Sequence, residues 1–348
     1  MEQKDNTLAM LDLMPCPAFC VEQGVITHVN PAAATFRLSP GKSIDGLLET
    51  GREEYSRLED GDLSLTLCID GRKLSASVSR LQLYDVFVLD QDADQPELQA
   101  LALAAQNLRS PLSSLMTVAD RLPESSDIPS ATLNRSLYQL LRIVSNMSDA
   151  YLYSQMPSPK MEIRNIPAIF DELFEKVAAY AVQAGITVTF QSLDEIVFGL
   201  ADAQQLQRAV ENLLANALKF TPAGGTVAAR LTRNGGMLYL TICDNGEGLK
   251  QNVRQNFYDR FRRPPMLEDS RNGIGLGMML VRSIASVHGG TVLVQQDKER
   301  GTKLTMTIAI RQNSDSAVRS PVMQIDYTGG RDHTLVELSE TLPAELYK

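Results

Sequence analysis

Three polar side chains near the middle of the chain have the spacing of a binding surface on one helix. Asn212, Asn216 and Lys219 follow one another at i, i+4 and i+7, so a helix places them on one face. A carboxamide oxygen is a hard ligand suited to Mg²⁺, and an ammonium group suits phosphate. These residue types fit a magnesium-bearing phosphate group, although a solvated helix face would show the same pattern.

A carboxylate followed by two glycines lies about 25 residues further along. Asp244 ends a predicted buried strand at 237–243, and Gly246 and Gly248 let the chain turn with positive φ. A carboxylate in this position can accept a hydrogen bond from an adenine amino group. Taken alone, D-x-G-x-G predicts only a turn.

Two more glycine-containing stretches complete the set. Gly273, Gly275 and Gly277 precede a predicted apolar helix, whose first backbone N–H groups are suited to bind phosphate. Gly301 and Thr302 predict a tight turn before another strand. Either stretch alone is a weak signal.

Asn212, Asn216 and Lys219 can share one face only if a stable helix carries them, and such a helix needs a buried side. Asp202 followed by Gln205 has the pattern of a capping box at a helix start. Apolar residues then recur at helical spacing and predict a buried stripe. The stripe residues are Leu206, Val210, Leu213, Leu214 and Ala217.

In this order and spacing, the four stretches resemble the N box and three glycine boxes of the histidine-kinase ATP-binding domain. That domain belongs to the GHKL family, shared with gyrase, a heat-shock chaperone and a mismatch-repair ATPase. Residues 257–261 resemble the F box that opens its ATP lid. The resemblance implies ATP and Mg²⁺ as cofactors, with Asn216 on Mg²⁺ and with Asn212 and Lys219 near the phosphates. It also implies Asp244 on adenine. The other implied binding residues are the turn glycines, the lid-hinge glycines and a threonine at the base of the adenine pocket: Gly246, Gly248, Gly273, Gly275, Gly277 and Thr302.

A second motif carries a contradiction. The stretch Q-N-L-R-S-P-L at 106–112 resembles the H box of histidine kinases, which normally reads H-E-L-R-T-P-L. Gln106 occupies the phosphoacceptor position, and its amide nitrogen is not a nucleophile because the lone pair is delocalised into the carbonyl. Asn107 replaces the acid that would accept a proton from the imidazole. Both residues argue against self-phosphorylation at the usual place.

No other residue restores that acceptor. Ser110, Ser113 and Ser114 carry hydroxyls near the position, although serines on a helical bundle are usually only polar surface. His288 precedes Gly289 at a predicted helix end, where a C-capping glycine and a last turn that tolerates a cation give it a structural role.

The clearest periodicity in the chain predicts a pair of helices around the H box. Apolar residues alternate spacings of three and four without a break, which is a heptad seam. The seam consists of Leu98, Leu101, Ala105, Leu108, Leu112, Leu115, Ala119 and Leu122. A second amphipathic helix follows a loop at 123–130. A homodimeric four-helix bundle would bury both helices; a monomeric hairpin packed on the other domains is the alternative.

The N-terminal part predicts a small α+β unit. The stretch P-A-F-C-V-E-Q-G-V-I-T-H-V-N-P-A-A at 17–33 resembles the start of a PAS sensor domain. Asp70 and Gly71 predict a hairpin turn between two later strands.

Length and composition limit the remaining possibilities. The 348 residues allow two or three domains. A net charge of −9 without a long basic run disfavours direct nucleic-acid binding. No apolar run approaches the ~18 residues of a membrane span, and the N-terminus lacks a signal peptide. We therefore expect a soluble cytoplasmic protein with no membrane span.

The predicted fold class is multidomain α+β: a PAS-like α/β sensor, an antiparallel helical hairpin, a histidine-kinase-type α/β sandwich ATPase domain, and a C-terminal tail, at 9–90, 94–156, 160–311 and 312–348. We expect a two-component sensor histidine-kinase homologue that binds Mg-ATP, forms a homodimer, and signals to a response regulator or other signalling protein. One alternative is a pseudokinase that signals through ATP- and signal-dependent protein contacts. Another is a kinase acting on a bundle serine or a partner's histidine.

Overall fold

The described part of the chain contains one large sheet, one small sheet and two long helices. None of the helices in this part is both long and apolar enough to cross a membrane. The computed structural model describes residues 8, 11–12, 14, 16–59, 61–80, 84–89, 95–120, 130–154, 159–248, 276–296, 301–311 and 331–347.

The N-terminal strands form one half of the large sheet, in the antiparallel order β2-β1-β5-β4-β3. The elements are β1 Ala18–Glu22, β2 Val25–Val29, α1 Pro31–Ala34, α2 Arg52–Ser56, β3 Asp62–Ile69, β4 Arg72–Arg80 and β5 Asp85–Leu89. Asp70 and Gly71 have φ values of 49° and 77°, as expected for the predicted hairpin turn. Phe19 and Phe87 stack in the core with ring centroids 4.9 Å apart.

Two 25-residue helices, α3 (Gln95–Ala119) and α4 (Ser130–Ser154), pack against each other. Their shared core contains Ala105, Leu112, Met116, Ala119, Leu137, Leu141, Val144 and Met147. Leu108 and Leu115 from the predicted seam are instead 49% and 56% exposed. The seam is therefore divided between a core inside the chain and an outward-facing stripe.

The described residues between 159 and 311 supply the other half of the large sheet, the small sheet and three α-helices. The elements are β6 Glu162–Asn165, α5 Ile166–Ala181, β7 Thr187–Gln191, β8 Phe198–Ala201, α6 Ala203–Phe220, β9 Thr226–Asn234, β10 Met237–Asp244, α7 Leu276–Val287, β11 Val292–Gln296 and β12 Thr302–Ala309. β6 pairs with β8, while the large sheet continues as β11-β12-β10-β9-β7. The three helices and these five strands share one hydrophobic core. The core fixes α6 against the sheet.

The two halves of the large sheet join at β3 and β11. Three residue pairs form the junction: Val292 with Ser64, Leu293 with Leu63, and Val294 with Asp62. The sequence predicts the N-terminal and C-terminal strands as parts of separate units and gives no indication of this pairing. Edge strands carry unpaired N–H and C=O groups, so backbone hydrogen bonds alone can join two sheets without a side-chain motif.

A C-terminal helix, α8 (His333–Glu337), lies against α4 and α6. The Asp332 side chain caps it by accepting a hydrogen bond from the Thr334 backbone nitrogen at 2.9 Å. The sequence at 332–340 predicts a short capped helix whose apolar residues dock on the rest of the chain. Val336 and Leu338 are fully buried, which confirms the docking, but the helix is shorter because a turn begins at Leu338. The sequence at 323–327 predicts a strand, and these residues lie outside the described part of the chain.

Candidate nucleotide-binding site

The helix that carries the first three candidate residues is fixed at its start and along one side. The Asp202 side chain accepts a hydrogen bond from the Gln205 backbone nitrogen at 3.2 Å, so the predicted cap is confirmed. The five predicted stripe residues of α6 are all buried. Asn212 is buried, whereas Asn216 and Lys219 are half-buried. The buried stripe therefore leaves the two later residues at the edge of the core.

The Asn212 side chain contacts both its own helix and the start of α7. Its amide nitrogen donates to the Arg208 carbonyl oxygen at 2.9 Å. A Cβ atom added at Gly277 would lie 2.6 Å from the Asn212 Oδ1 atom. This position accepts only glycine without a shift, because real Cβ atoms do not approach an oxygen so closely. Two of the predicted stretches therefore meet at Asn212.

Asp244 connects two other predicted stretches. It ends β10 and is only 5% exposed. Its Oδ1 atom accepts hydrogen bonds from the backbone nitrogens of Gly246 at 3.0 Å and Thr302 at 3.2 Å. The carboxylate orientation is thus set by backbone donors from the D-x-G-x-G turn and from the Gly-Thr turn.

Close backbone contacts bring this carboxylate to the C-terminal end of α6. A Cβ atom at Gly246 would lie 2.3 Å from the Phe220 carbonyl oxygen. Gly301, at φ 102°, passes so near the Asp244 backbone that its Cβ would lie 1.8 Å from the Asp244 carbonyl oxygen. Gly248 has φ 76°, as predicted, but the positive φ predicted at Gly246 is wrong; glycine is needed there because the Phe220 carbonyl oxygen comes so close. These glycines allow the end of β10, the end of α6 and the start of β12 to meet.

Several candidate residues lie outside the described residues. They are the hinge glycines Gly273 and Gly275, and the F-box-like stretch 257–261 of the implied ATP lid.

Most of the H-box-like stretch lies on the exposed side of α3, whereas Leu112 packs in the core between the two helices. Gln106 and Asn107 are exposed, and so are Ser110, Ser113 and Ser114. The side chain of Ser114 donates to the Ser110 carbonyl oxygen at 3.0 Å, a local contact that needs no functional role.

The sequence did not predict a buried charged cluster on α6. Arg208 is 6% exposed; it pairs with Asp149 of α4 at 2.8 Å and contacts Glu337 of α8. Glu337 also pairs with Arg142 at 3.3 Å. Burial by itself raises the pKa of Glu337, but Arg208 and Arg142 outweigh it and hold that pKa below its usual range. The cluster therefore joins α4, α6 and α8 around an ionised Glu337, whereas burial raises the pKa of Asp149.

A second group of contacts covers the same side of α6. Thr334 donates its hydroxyl to Glu211 at 2.8 Å, and Lys219 pairs with Glu340. Glu340 also pairs with Arg142 at 3.0 Å. Arg208, Glu211, Lys219 and their partners are separated by tens to more than a hundred residues in sequence, so no local pattern could have indicated them.

His288 has a structural role, but a different charge from the one expected. The Asp202 backbone nitrogen donates to its Nε2 atom at 3.1 Å, so its Nδ1 atom carries the proton and donates to the Ile284 carbonyl oxygen at 2.8 Å. Burial lowers the pKa of His288, so the ring is neutral. The predicted C-capping glycine is present, with Gly289 at φ 70°, but the expected tolerance for a cation is wrong because this imidazole is buried.

Comparisons with known proteins agree with the motifs of this site. Residues 201–312 match the family described as Histidine kinase-, DNA gyrase B-, and HSP90-like ATPase. Hybrid signal transduction histidine kinase D of Dictyostelium discoideum is 25% identical over 241 residues, 65% of this chain and 15% of that protein. Sensor protein kinase PmrB of Pseudomonas aeruginosa is 29% identical over 238 residues, 66% of this chain and 48% of that protein.

Among solved structures, full-length ShkA in complex with AMPPNP has a TM-score of 0.48 and 21% identity. That match covers 62% of this chain and 46% of the other. The chain spans about half of PmrB and a smaller share of the Dictyostelium protein. Residues 201–312 therefore form a mixed α/β domain of the histidine kinase-, gyrase- and HSP90-like ATPase family, in a chain whose curated relatives are sensor histidine kinases.

Proposed function

We propose that this chain is a two-component sensor histidine-kinase homologue that binds Mg-ATP within residues 159–311. The observation that carries the proposal is the convergence at the end of β10. There, Asp244 is held by Gly246 and Thr302, and Phe220 brings the end of α6 into contact with the same turn. A fixed carboxylate beside a helix that carries carboxamides and an ammonium matches the chemistry of an adenine nucleotide.

Each polar residue then has a distinct role. Asp244 accepts a hydrogen bond from the adenine amino group, above Thr302 at the base of the pocket. Asn216 provides a carboxamide oxygen to Mg²⁺, and its half-buried position at the helix edge suits a hard metal ligand. Lys219 neutralises charge on the phosphates, and Asn212 helps to orient them. When bound, Mg-ATP supplies a γ-phosphoryl group, and these residues contribute positioning and charge neutralisation.

The identity of the phosphoryl acceptor separates the candidate functions. Gln106 is exposed at the acceptor position but has no nucleophilic nitrogen, which favours a pseudokinase that signals through ATP-dependent protein contacts. The second candidate is a kinase with another acceptor, either a serine of the helical bundle or a histidine on a partner. The exposed hydroxyls of Ser110, Ser113 and Ser114 support the first of these acceptors.

The rest of the chain fits a signalling assembly. We assign a PAS-like sensor role to 9–90, a dimerisation role to 94–156, and a response regulator or another signalling protein as the partner. Exposed apolar side chains on α3 and α4 support a homodimeric four-helix bundle. They are Leu103, Leu108, Leu115, Val118, Leu140 and Ile143.

Calorimetric titration with ATP, in Mg²⁺ and in EDTA, tests the nucleotide proposal. We expect binding in Mg²⁺ that weakens in EDTA. Asn216→Ala should weaken binding in Mg²⁺ and lose most of the difference between the two buffers, since it removes the metal ligand. Asn234→Ala, at an exposed position on β9, is the matched control. No binding at millimolar ATP would refute the proposal.

Incubation with γ-labelled ATP separates the acceptor classes. Acid-stable label on the chain would identify a hydroxyl acceptor, and Ser→Ala variants would locate it. Acid-labile label on an added partner would identify a histidine there. ATP binding without label or turnover would establish the pseudokinase. In Gln106→His we expect acid-labile label, unless Asn107 prevents activation of the new imidazole.

A further inference from the structure

The C-terminal segment 331–347 is built into the side of the ATPase-family domain. Val336, Leu338 and Leu342 are fully buried, and Tyr347 is 1% exposed. The Tyr138 and Tyr347 rings meet edge to face with centroids 4.9 Å apart. This burial holds the segment across α4 and α6, outside the stretch that matches the ATPase family.

The acidic residues of the segment face cations of the helices beneath it. Glu337 lies between Arg208 and Arg142 and has no exposed side-chain surface. One turn further, Glu340 contacts Lys219 and also pairs with Arg142 at 3.0 Å. The Lys219 side chain is only 11% exposed. The segment thus places a carboxylate directly on Lys219.

Lys219 is the ammonium group that the proposed function assigns to the nucleotide phosphates. It shares α6 with Asn212 and Asn216, each within two turns. An ammonium group that is paired with a carboxylate is not available in full to a phosphate oxygen. Phosphate binding at Lys219 must therefore displace Glu340 or share its cation.

We propose that the segment 331–347 is an internal competitor for the nucleotide, in which Glu340 occupies Lys219 in place of a phosphate oxygen. The inference rests on the proposed function, because it requires Lys219 to meet phosphate. The docked segment lowers the apparent affinity for ATP, and bound ATP releases Glu340.

Glu340 has the charge and anchoring that this competition needs. Burial by itself raises the pKa of Glu340, but Arg142 and Lys219 outweigh it and hold that pKa below its usual range, so the group is ionised at neutral pH. The buried apolar residues keep this carboxylate tethered beside Lys219. A tethered group acts at an effective concentration in the millimolar range, which lets one carboxylate compete with a more highly charged ligand.

Glu340→Gln tests the proposal, because it removes the charge and keeps the shape. Calorimetry in Mg²⁺ should give an ATP Kd about three- to tenfold lower than in the original chain, from the release of one partly buried charge-assisted hydrogen bond. Adenosine, which has no phosphate, should bind both chains equally. Glu345→Gln, at an exposed position of the same segment, should leave both ligands unaffected.

A second variant shows whether the gain in ATP affinity depends on Lys219. Adding Glu340→Gln to a Lys219→Met chain should no longer tighten ATP binding, because the shared cation is gone. Equal ATP affinity in the original and Glu340→Gln chains, or an equal gain in affinity for adenosine, overturns the proposal that the segment competes with ATP. Absence of ATP binding in every chain overturns the proposed function itself, and the competitor with it.

Discussion

Two substitutions of Asp244 should separate its structural role from its proposed role in binding. Its Oδ1 atom accepts from two backbone nitrogens, at 3.0 and 3.2 Å, in a place that is 5% exposed. Asparagine keeps a side-chain oxygen for these donors, whereas alanine removes it. A buried donor left unpaired costs about 1–3 kcal/mol. We expect Asp244→Ala to lower the free energy of unfolding by about 2–4 kcal/mol, and Asp244→Asn by about 1 kcal/mol.

For nucleotide binding, both substitutions remove the charged acceptor assigned to the adenine amino group. A hydrogen bond to a charged group contributes about 1.5–3 kcal/mol, which corresponds to about a 10- to 150-fold higher Kd. Urea unfolding measures the first effect, and calorimetry with ATP in Mg²⁺ measures the second. A well-folded Asp244→Asn chain with the original Kd would refute the adenine assignment. Unchanged stability of Asp244→Ala would refute the structural role.

Three further predictions concern stability and assembly. Burial lowers the native pKa of His288, so its contribution to stability is full above the unfolded value of about 6.5 and is lost as the pH falls through the native pKa. Urea midpoints between pH 8 and 5 should therefore fall less for His288→Asn than for the original chain. Burial raises the pKa of Glu54, so its ionisation opposes folding as the pH rises through that value, and Glu54→Gln should raise the thermal midpoint at neutral pH. Leu115→Lys, on the outward stripe of α3, should convert the proposed dimer to a monomer in light scattering at micromolar concentration.

Each of these predictions has a control or an outcome that would contradict it. An equal fall of the urea midpoint between pH 8 and 5 in His288→Asn and in the original chain would contradict the argument from the buried imidazole of His288. At pH 4 the gain from Glu54→Gln should shrink; an equal gain at pH 4 and 7 would contradict the ionisation argument. Thr117→Lys, another exposed position on α3, should leave the dimer intact. A dimer that persists in Leu115→Lys would exclude this stripe as the interface.

The local parts of the candidate site could be predicted from sequence because local chemistry determines them. The Asp202 cap and the apolar spacing of α6 predict both the helix and its buried side. Gly248 and Gly301 have the positive φ that suits their predicted turns, whereas Gly246 does not.

Contacts between distant segments could not be predicted in the same way. The pairing of Lys219 with Glu340 joins residues far apart in sequence: the helical spacing singles out Lys219, but nothing in the sequence indicates Glu340 as its partner. Arg208 is similar: an arginine on a helix is normally solvated, and only the folded arrangement of Asp149 and Glu337 explains its burial. The strand pairing between β3 and β11 uses backbone groups that every residue carries.

The short junction in the large sheet has a consequence for assembly. β3 and β11 share three residue pairs, whereas β10 and β12 share seven. If the junction opens, β3 and β11 each expose unpaired backbone groups, which can pair again within the molecule or with the matching strand of a neighbour. At high protein concentration two molecules would then exchange halves of the sheet by domain swapping, and the resulting dimers would form slowly and separate slowly.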